Sequence, residues 1–327
     1  MRRSLLLLVL LVASAIGFPG RAAAEPPPTF LTNIYGPPFD PFNQVSQLAL
    51  GPDGRVYVAD AYRNRVMIYN LDGTYSAQFG SAGTALGRLG LPSGIAFDGA
   101  GNIYVAEQSN ARIQKFSPGF LSLGAISIPG PIPAPLNYPT NLAFSPDGQT
   151  LYVTELLGHC VTMFNPAGTF LGRVGGPATG SGPGQFSYPF GIIVDPAGDV
   201  FVADQRNHRI QHLTAALVPI GSWGTPGPGP GQFNNVVGLG LDSAGEIYAT
   251  DQLNNRVQKF HHDGTFVTEW GTFGGGPGQF YNPWCVLPVS NTRVWVGDTY
   301  NFRLGIFETL ATPATPETWG ALKHRYR

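Results

Sequence analysis

Charge is scarce in this sequence. Asp, Glu, Lys and Arg together make up 12% of 327 residues, with 19 basic against 20 acidic side chains. No basic cluster interrupts the body of the chain, which argues against a polyanion partner and excludes nucleic acid as the expected one. Only two cysteines are present, Cys160 and Cys285, too few for a disulfide framework, so the fold must be held by its core. Phosphate-cradling and metal-helix motifs are missing as well. Gly238-Leu239-Gly240 is a lone G-x-G inside an apolar run with no helix to follow. Pro228-Gly229-Pro230-Gly231 is followed by no Lys-Ser/Thr pair, and no H-x-x-x-H spacing brings two histidines onto one helix, since His208 is expected in a turn and His212 on an outer strand. Past residue 16, no apolar stretch is long enough to span a bilayer.

What is abundant is glycine (44) and proline (30), set between short apolar runs, the texture of an all-β chain with many turns. The N-terminus reads differently. Arg2 and Arg3 precede an apolar run over residues 5–16, and Ala22-Ala23-Ala24 supplies small residues for cleavage. This order predicts a Sec-type signal peptide over residues 1–24 and a secreted or periplasmic mature chain. Its removal leaves 16 basic and 20 acidic residues, a formal net charge of −4.

One unit recurs six times. Val56-Tyr57-Val58-Ala59-Asp60 returns as Ile103–Glu107, Leu151–Glu155, Val200–Asp204, Ile247–Asp251 and Val294–Asp298. The terminal acids are spaced by 47, 48, 49, 47 and 47 residues. Within the fourth copy, an unalternating apolar run (190–194) fits an innermost strand buried on both sides. A Pro/Gly turn, an alternating strand, a polar turn and two further strands follow. Four antiparallel strands per unit, six times over, predict an all-β, six-bladed propeller spanning residues 25–308. The sixth unit lacks a fourth strand, and Phe30-Leu31-Thr32-Asn33-Ile34-Tyr35-Gly36 resembles the fourth strand of unit five. The N-terminal strand is therefore expected to complete blade six, leaving no open edge. Residues 309–327 read as a Thr/Pro linker and a short basic tail.

Gly191-Ile192-Ile193-Val194-Asp195, Val202-Ala203-Asp204-Gln205-Arg206-Asn207-His208-Arg209-Ile210 and the recurring Gly-Gln-Phe (184–186, 231–233, 278–280) resemble the NHL repeat. The resemblance runs over about residues 30–308 and implies a propeller without fixing an activity. Blade three departs from it most, with Gly158-His159-Cys160 in place of Asn-x-Arg.

Five of the six repeated acids are followed five positions later by arginine: Asp60 and Arg65, Glu107 and Arg112, Asp204 and Arg209, Asp251 and Arg256, Asp298 and Arg303. Repetition around the ring favours structural hairpin clamps over an asymmetric catalytic set. Glu155, facing Cys160, is expected to be the acid without a cation, with only His159 nearby in sequence. The resemblance to propeller hydrolases and lyases implies an axial metal held by carboxylate, amide or imidazole groups. The expected innermost strands contain no His, Asp or Glu; their notable polar side chains are Gln47 and Asn141. Neither a hard cation nor zinc is well served by that set, so no metal and no cofactor is expected. The sequence therefore points to a monomeric binding or interaction scaffold rather than an enzyme. Its partner, a protein, glycan or small molecule, would meet the non-repeating loop residues Tyr62, Arg63, Gln108, Ser109, Gln205, Arg206, Gln252 and Tyr300 on one face. The alternatives are a lactonase-like or amidating-lyase-like propeller acting at the channel mouth, and a structural module of the envelope.

Overall fold

The structure is a computed structural model and describes residues 25–127 and 135–309. The expected signal peptide, and the expected tail beyond Thr309, lie outside the described residues. Six four-stranded antiparallel sheets form the blades of a propeller. In blade four the innermost strand is Pro189–Val194, followed outward by Val200–Asp204, Arg209–Leu213 and Pro219–Trp223. The other blades repeat this order. Among the described residues no helix is long and apolar enough to cross a membrane.

The core is a set of wedges between neighbouring blades rather than one central mass. Six apolar clusters are present, one at each blade-to-blade interface. The Gly-Gln-Phe phenylalanines supply three of these wedges: Phe186, Phe233 and Phe280 are buried between one blade and the next. Leu89 and Leu136 take that position where the motif is lost. Burial against two sheets explains why these strands read as unbroken apolar runs.

The ring closes as the repeat arithmetic requires. Thr29–Ile34 pairs antiparallel with Arg303–Glu308 as the outer strand of blade six. Phe30 meets Phe307 edge to face at 5.7 Å. A separate cluster containing Phe42, Met67, Trp295 and Ile306 joins blade six to blade one. Thr29 lies opposite Glu308 and Ile34 opposite Leu304, so both chain ends of the ring reach the face opposite the acid–arginine turns.

If this seam holds the ring, Phe30→Ala will cost about 2–3 kcal/mol, below the full value for a completely buried ring because Phe30 is half-buried. Deleting residues 25–36 will expose the edge at Arg303–Glu308 and promote self-association. Thermal unfolding and light scattering read both effects; an unchanged melting temperature in both variants would show that the seam contributes nothing.

Candidate active site at the propeller mouth

The acid–arginine turns and the crossovers between blades share one face, the mouth. Each repeated acid is buried there and accepts the backbone N–H of the crossover residue two places before its innermost strand. Asp60 takes Asn43 N–H at 2.7 Å, Asp204 takes Ser187 N–H at 2.7 Å and Asp298 takes Tyr281 N–H at 2.7 Å. The paired guanidiniums lie at 2.9 Å (Asp60–Arg65), 2.6 Å (Glu107–Arg112), 2.9 Å (Asp204–Arg209), 2.8 Å (Asp251–Arg256) and 2.7 Å (Asp298–Arg303). The guanidiniums reach further to crossover carbonyls: Arg256 donates to Pro228, Gly229 and Gln232, and Arg303 to Gly275, Gly276 and Gln279. Burial pushes the Asp60, Asp251 and Asp298 carboxyls up, and the crossover N–H and guanidinium bonds oppose that shift.

Glu155 departs from its expectation. It is not without a cation, because Arg173 from the fourth strand of its own blade (Phe170–Gly175) sits 2.8 Å from Oε1, and Thr162 donates to the same oxygen. The guanidinium arrives from two strands away because Cys160 has left the usual position empty of charge. Both cysteines are buried and free.

A second repeated device sits above these clamps. The residue leading into each innermost strand has positive φ without being glycine: Gln44, Leu91, Tyr138, Tyr188, Asn235 and Asn282. Such backbone is strained for Leu and Tyr and needs support. Four of the six N–H groups are held by the left-handed residue that ends the turn of the preceding blade. Leu91 donates to Asn64 Oδ1 at 2.9 Å, Tyr188 to His159 Nδ1 at 3.3 Å, Asn235 to His208 Nδ1 at 3.1 Å and Asn282 to Asn255 Oδ1 at 3.0 Å. Ala111 and Phe302 hold the corresponding places in the other two blades and have no acceptor there.

These latches place polar groups over blades three and four. The His159 ring meets Tyr188 edge to face at 4.8 Å, and the Arg206 guanidinium lies 5.8 Å from the Tyr188 ring centre. Burial pushes the His159 pKa below its ordinary 6.5. With Nδ1 accepting a backbone N–H, neutral His159 carries its proton on Nε2 and is a hydrogen-bond donor. Around the rest of the rim, Tyr62 and Tyr300 are exposed, and burial with the nearby Tyr62 phenol raises Tyr138. Arg63, Ser109 and Arg206 are exposed, while Gln108 and Gln205 are half-buried. Gln252 does not belong to this surface: it is 8% exposed and its N–H bonds to Asn235 O at 3.0 Å.

The axis below the mouth is crossed by side chains. Gln47 of blade one donates to Asn141 of blade three, and its own oxygen accepts the Ile95 N–H of blade two between them. Phe190 of blade four meets Trp284 of blade six edge to face at 5.6 Å. Blade five admits this approach through Gly238, where a Cβ would collide with the Trp284 carbonyl; Gly191 similarly abuts the Val237 carbonyl. The axial metal implied by the resemblance does not fit these residues. The two amides bond to each other and to backbone, and among the described residues no group of three or more His, Cys, Asp or Glu side chains converges as a ligand set.

Fold and mouth together define a six-bladed β-propeller of the NHL type. The NHL repeat family model matches residues 186–213, and the model of the SMP-30/gluconolactonase/LRE-like region matches residues 39–154. Peptidylglycine alpha-amidating monooxygenase of Rattus norvegicus is 33% identical over 132 residues, 37% of this chain and 13% of the rat protein. The chain thus spans about an eighth of the length of that relative. Virginiamycin B lyase from Staphylococcus aureus, solved with quinupristin, superposes with a TM-score of 0.58 at 15% identity, over 81% of this chain and 80% of that one. A solved structure assigned to the gluconolactonases gives 0.61 at 19% identity, over 88% and 93%. The expectation that the chain is not an enzyme is overturned by these matches. The matched region is that of gluconolactonase-like proteins, and propellers of the same fold include a lyase. The polar groups stand outside the innermost strands, at the turns and at the residue before each strand, as His159 and Tyr188 do.

Two outcomes follow for the mouth. Arg173→Ala will leave Glu155 buried without its cation and cost about 3 kcal/mol; adding Glu155→Gln will recover part of the loss, as denaturant unfolding will show. His159→Asn, which keeps an acceptor of the kind used at Asn64 and Asn255, will preserve stability better than His159→Ala. Because the folded-state pKa of His159 is depressed, wild-type stability will fall as the pH drops below about 6.5 and the unfolded chain takes up the proton first. His159→Asn will lack that component of the pH dependence.

Proposed function

We propose that this chain is a hydrolase or lyase of the lactonase or amidating-lyase kind, acting at the mouth over blades three and four. The observation that carries the reading is the junction of His159, Tyr188 and Arg206 on a strained, latched backbone. The matched gluconolactonase-like region and the amidating relative support it.

The three groups suit a substrate whose reacting centre is a carbonyl or carbinol beside a negative charge. Neutral His159 offers an Nε2–H to an oxygen on which charge develops, and fixed donors of this kind need no reorganisation during reaction. Arg206 supplies a cation for a carboxylate or an oxyanion. The Tyr188 hydroxyl, on the ring between them, can pass a proton to or from the reacting oxygen. The reading includes export through the signal peptide over residues 1–24 and work as a monomer outside the cytoplasm.

The test is turnover by the purified mature chain on a panel of γ- and δ-lactones, a peptidyl-α-hydroxyglycine and a cyclic depsipeptide, with and without chelator. One class will be converted, and His159→Asn and Arg206→Ala will each lower kcat/KM by about 100-fold with the melting temperature retained. Absence of turnover on every class, including after addition of divalent cations, would sink the proposal.

A further inference from the structure

The mouth is not chemically uniform around the ring. Over blades one to four its loops carry Asp40, Arg63, Arg88 and Arg206. Over blades five and six, residues 224–235, 252–255, 271–282 and 299–302 contain no Asp, Glu, Lys, Arg or His. The charges beside those loops are Asp251, Arg256, Asp298 and Arg303, all buried in pairs, and the half-buried Glu269, which is held by Arg256 at 2.7 Å. The loops over half of the mouth therefore carry no charged side chain of their own.

Three aromatic rings stand on that half. Phe273 is 66% exposed, Tyr281 42% and Tyr300 46%. Phe273 and Tyr281 are 5.3 Å apart at 88°, and Tyr281 and Tyr300 are 5.2 Å apart at 86°. An edge-to-face contact occupies one face of one ring only, so open π surface remains. Their backbones are fixed. Tyr281 N–H bonds to Asp298 at 2.7 Å, Tyr300 N–H to Tyr281 O at 3.1 Å, and Phe273 bridges Phe280 in parallel. Binding would restrict little beyond ring torsions. A contiguous aromatic patch on an exported-type, charge-poor surface marks a ligand site.

We propose that Phe273, Tyr281 and Tyr300 form a platform for a neutral oligosaccharide. A pyranose presents a face of C–H bonds whose partial positive charge suits the negative face of an aromatic ring. Its hydroxyls suit the phenol groups and the Asn282 amide, while Asn301 Nδ2 and Gln279 Oε1 are already bonded to Gly274, Asp298 and Gly276 and shape the loops instead. An anionic glycan would find its cations here, Arg256 and Arg303, already paired and buried, and a cationic one would find Glu269 already held by Arg256. An acyl chain needs a walled groove, and these rings stand open. The site adjoins the cluster over blades three and four on the same face but does not depend on its chemistry.

The experiment is direct binding by calorimetry, using the mature chain and neutral tetrasaccharides of β-linked glucose, α-linked glucose, β-linked xylose and N-acetylglucosamine. At least one will bind. The pair Tyr281→Ala and Tyr300→Ala will weaken it by about tenfold or more, on the scale expected of lost aromatic contact. Tyr281→Phe will retain most of the affinity, and His159→Asn will leave it unchanged. Circular dichroism and the melting temperature will verify that the variants fold. Binding that survives the double substitution, no binding by any tetrasaccharide at millimolar concentration, or capture of an aromatic- and proline-rich peptide instead would each overturn the assignment. Failure of catalysis in the turnover assay would leave this measurement unaffected.

Discussion

A buried carboxylate cannot be left alone, and this propeller is organised around that fact. An ionised group removed from water needs charge and hydrogen bonds on several sides. Each repeated acid obtains them from the crossover leading in and from an arginine on the third or fourth strand, and four of the six also from an asparagine of the hairpin turn: Asn110, Asn207, Asn254 and Asn301. The acid thereby fixes the height at which the crossover meets the innermost strand. That junction in turn sets the strained residue leading into the strand, and with it the rim of the mouth. Where Cys160 replaces the usual arginine, the need does not disappear. Arg173 meets it from another strand, and Tyr138 keeps the positive φ of the other junctions although Ala111 gives its N–H no side-chain latch.

Much of the architecture was legible because repetition multiplies weak signals. Acids spaced by 47 to 49 residues fix the blade count, and a sixth unit short of a strand points to the segment around Phe30 as its completion. What escaped was the geometry between repeats. That Arg173 reaches Glu155 depends on register across two hairpins, including the bulge between Met163 and Phe164. The burial of Gln252 depends on how deep one turn sinks against Asn235. The His159–Tyr188 latch joins residues 29 apart in different blades, and it has no sequence signature beyond an Asn-or-His alternation at the turn. A search for ligands confined to innermost strands missed the layer where the polar groups stand.

The mouth combines two kinds of surface on one rigid frame. Over blades three and four, left-handed backbone and imidazole acceptors set up a compact polar junction. Over blades five and six, glycine-rich crossovers carry uncharged loops and open rings. Sixfold scaffolding makes such division inexpensive in structural terms, because the wedges between blades hold the ring while individual loop residues vary. The axis contributes closure: amide on amide between blades one and three, ring on ring between blades four and six.

The pairing of Thr29 with Glu308 sets both ends of the closed ring on the face away from the rim. A ligand approaching the rim therefore meets crossovers and hairpin turns at every blade, the seam included, and never the point where the ring's chain enters or leaves.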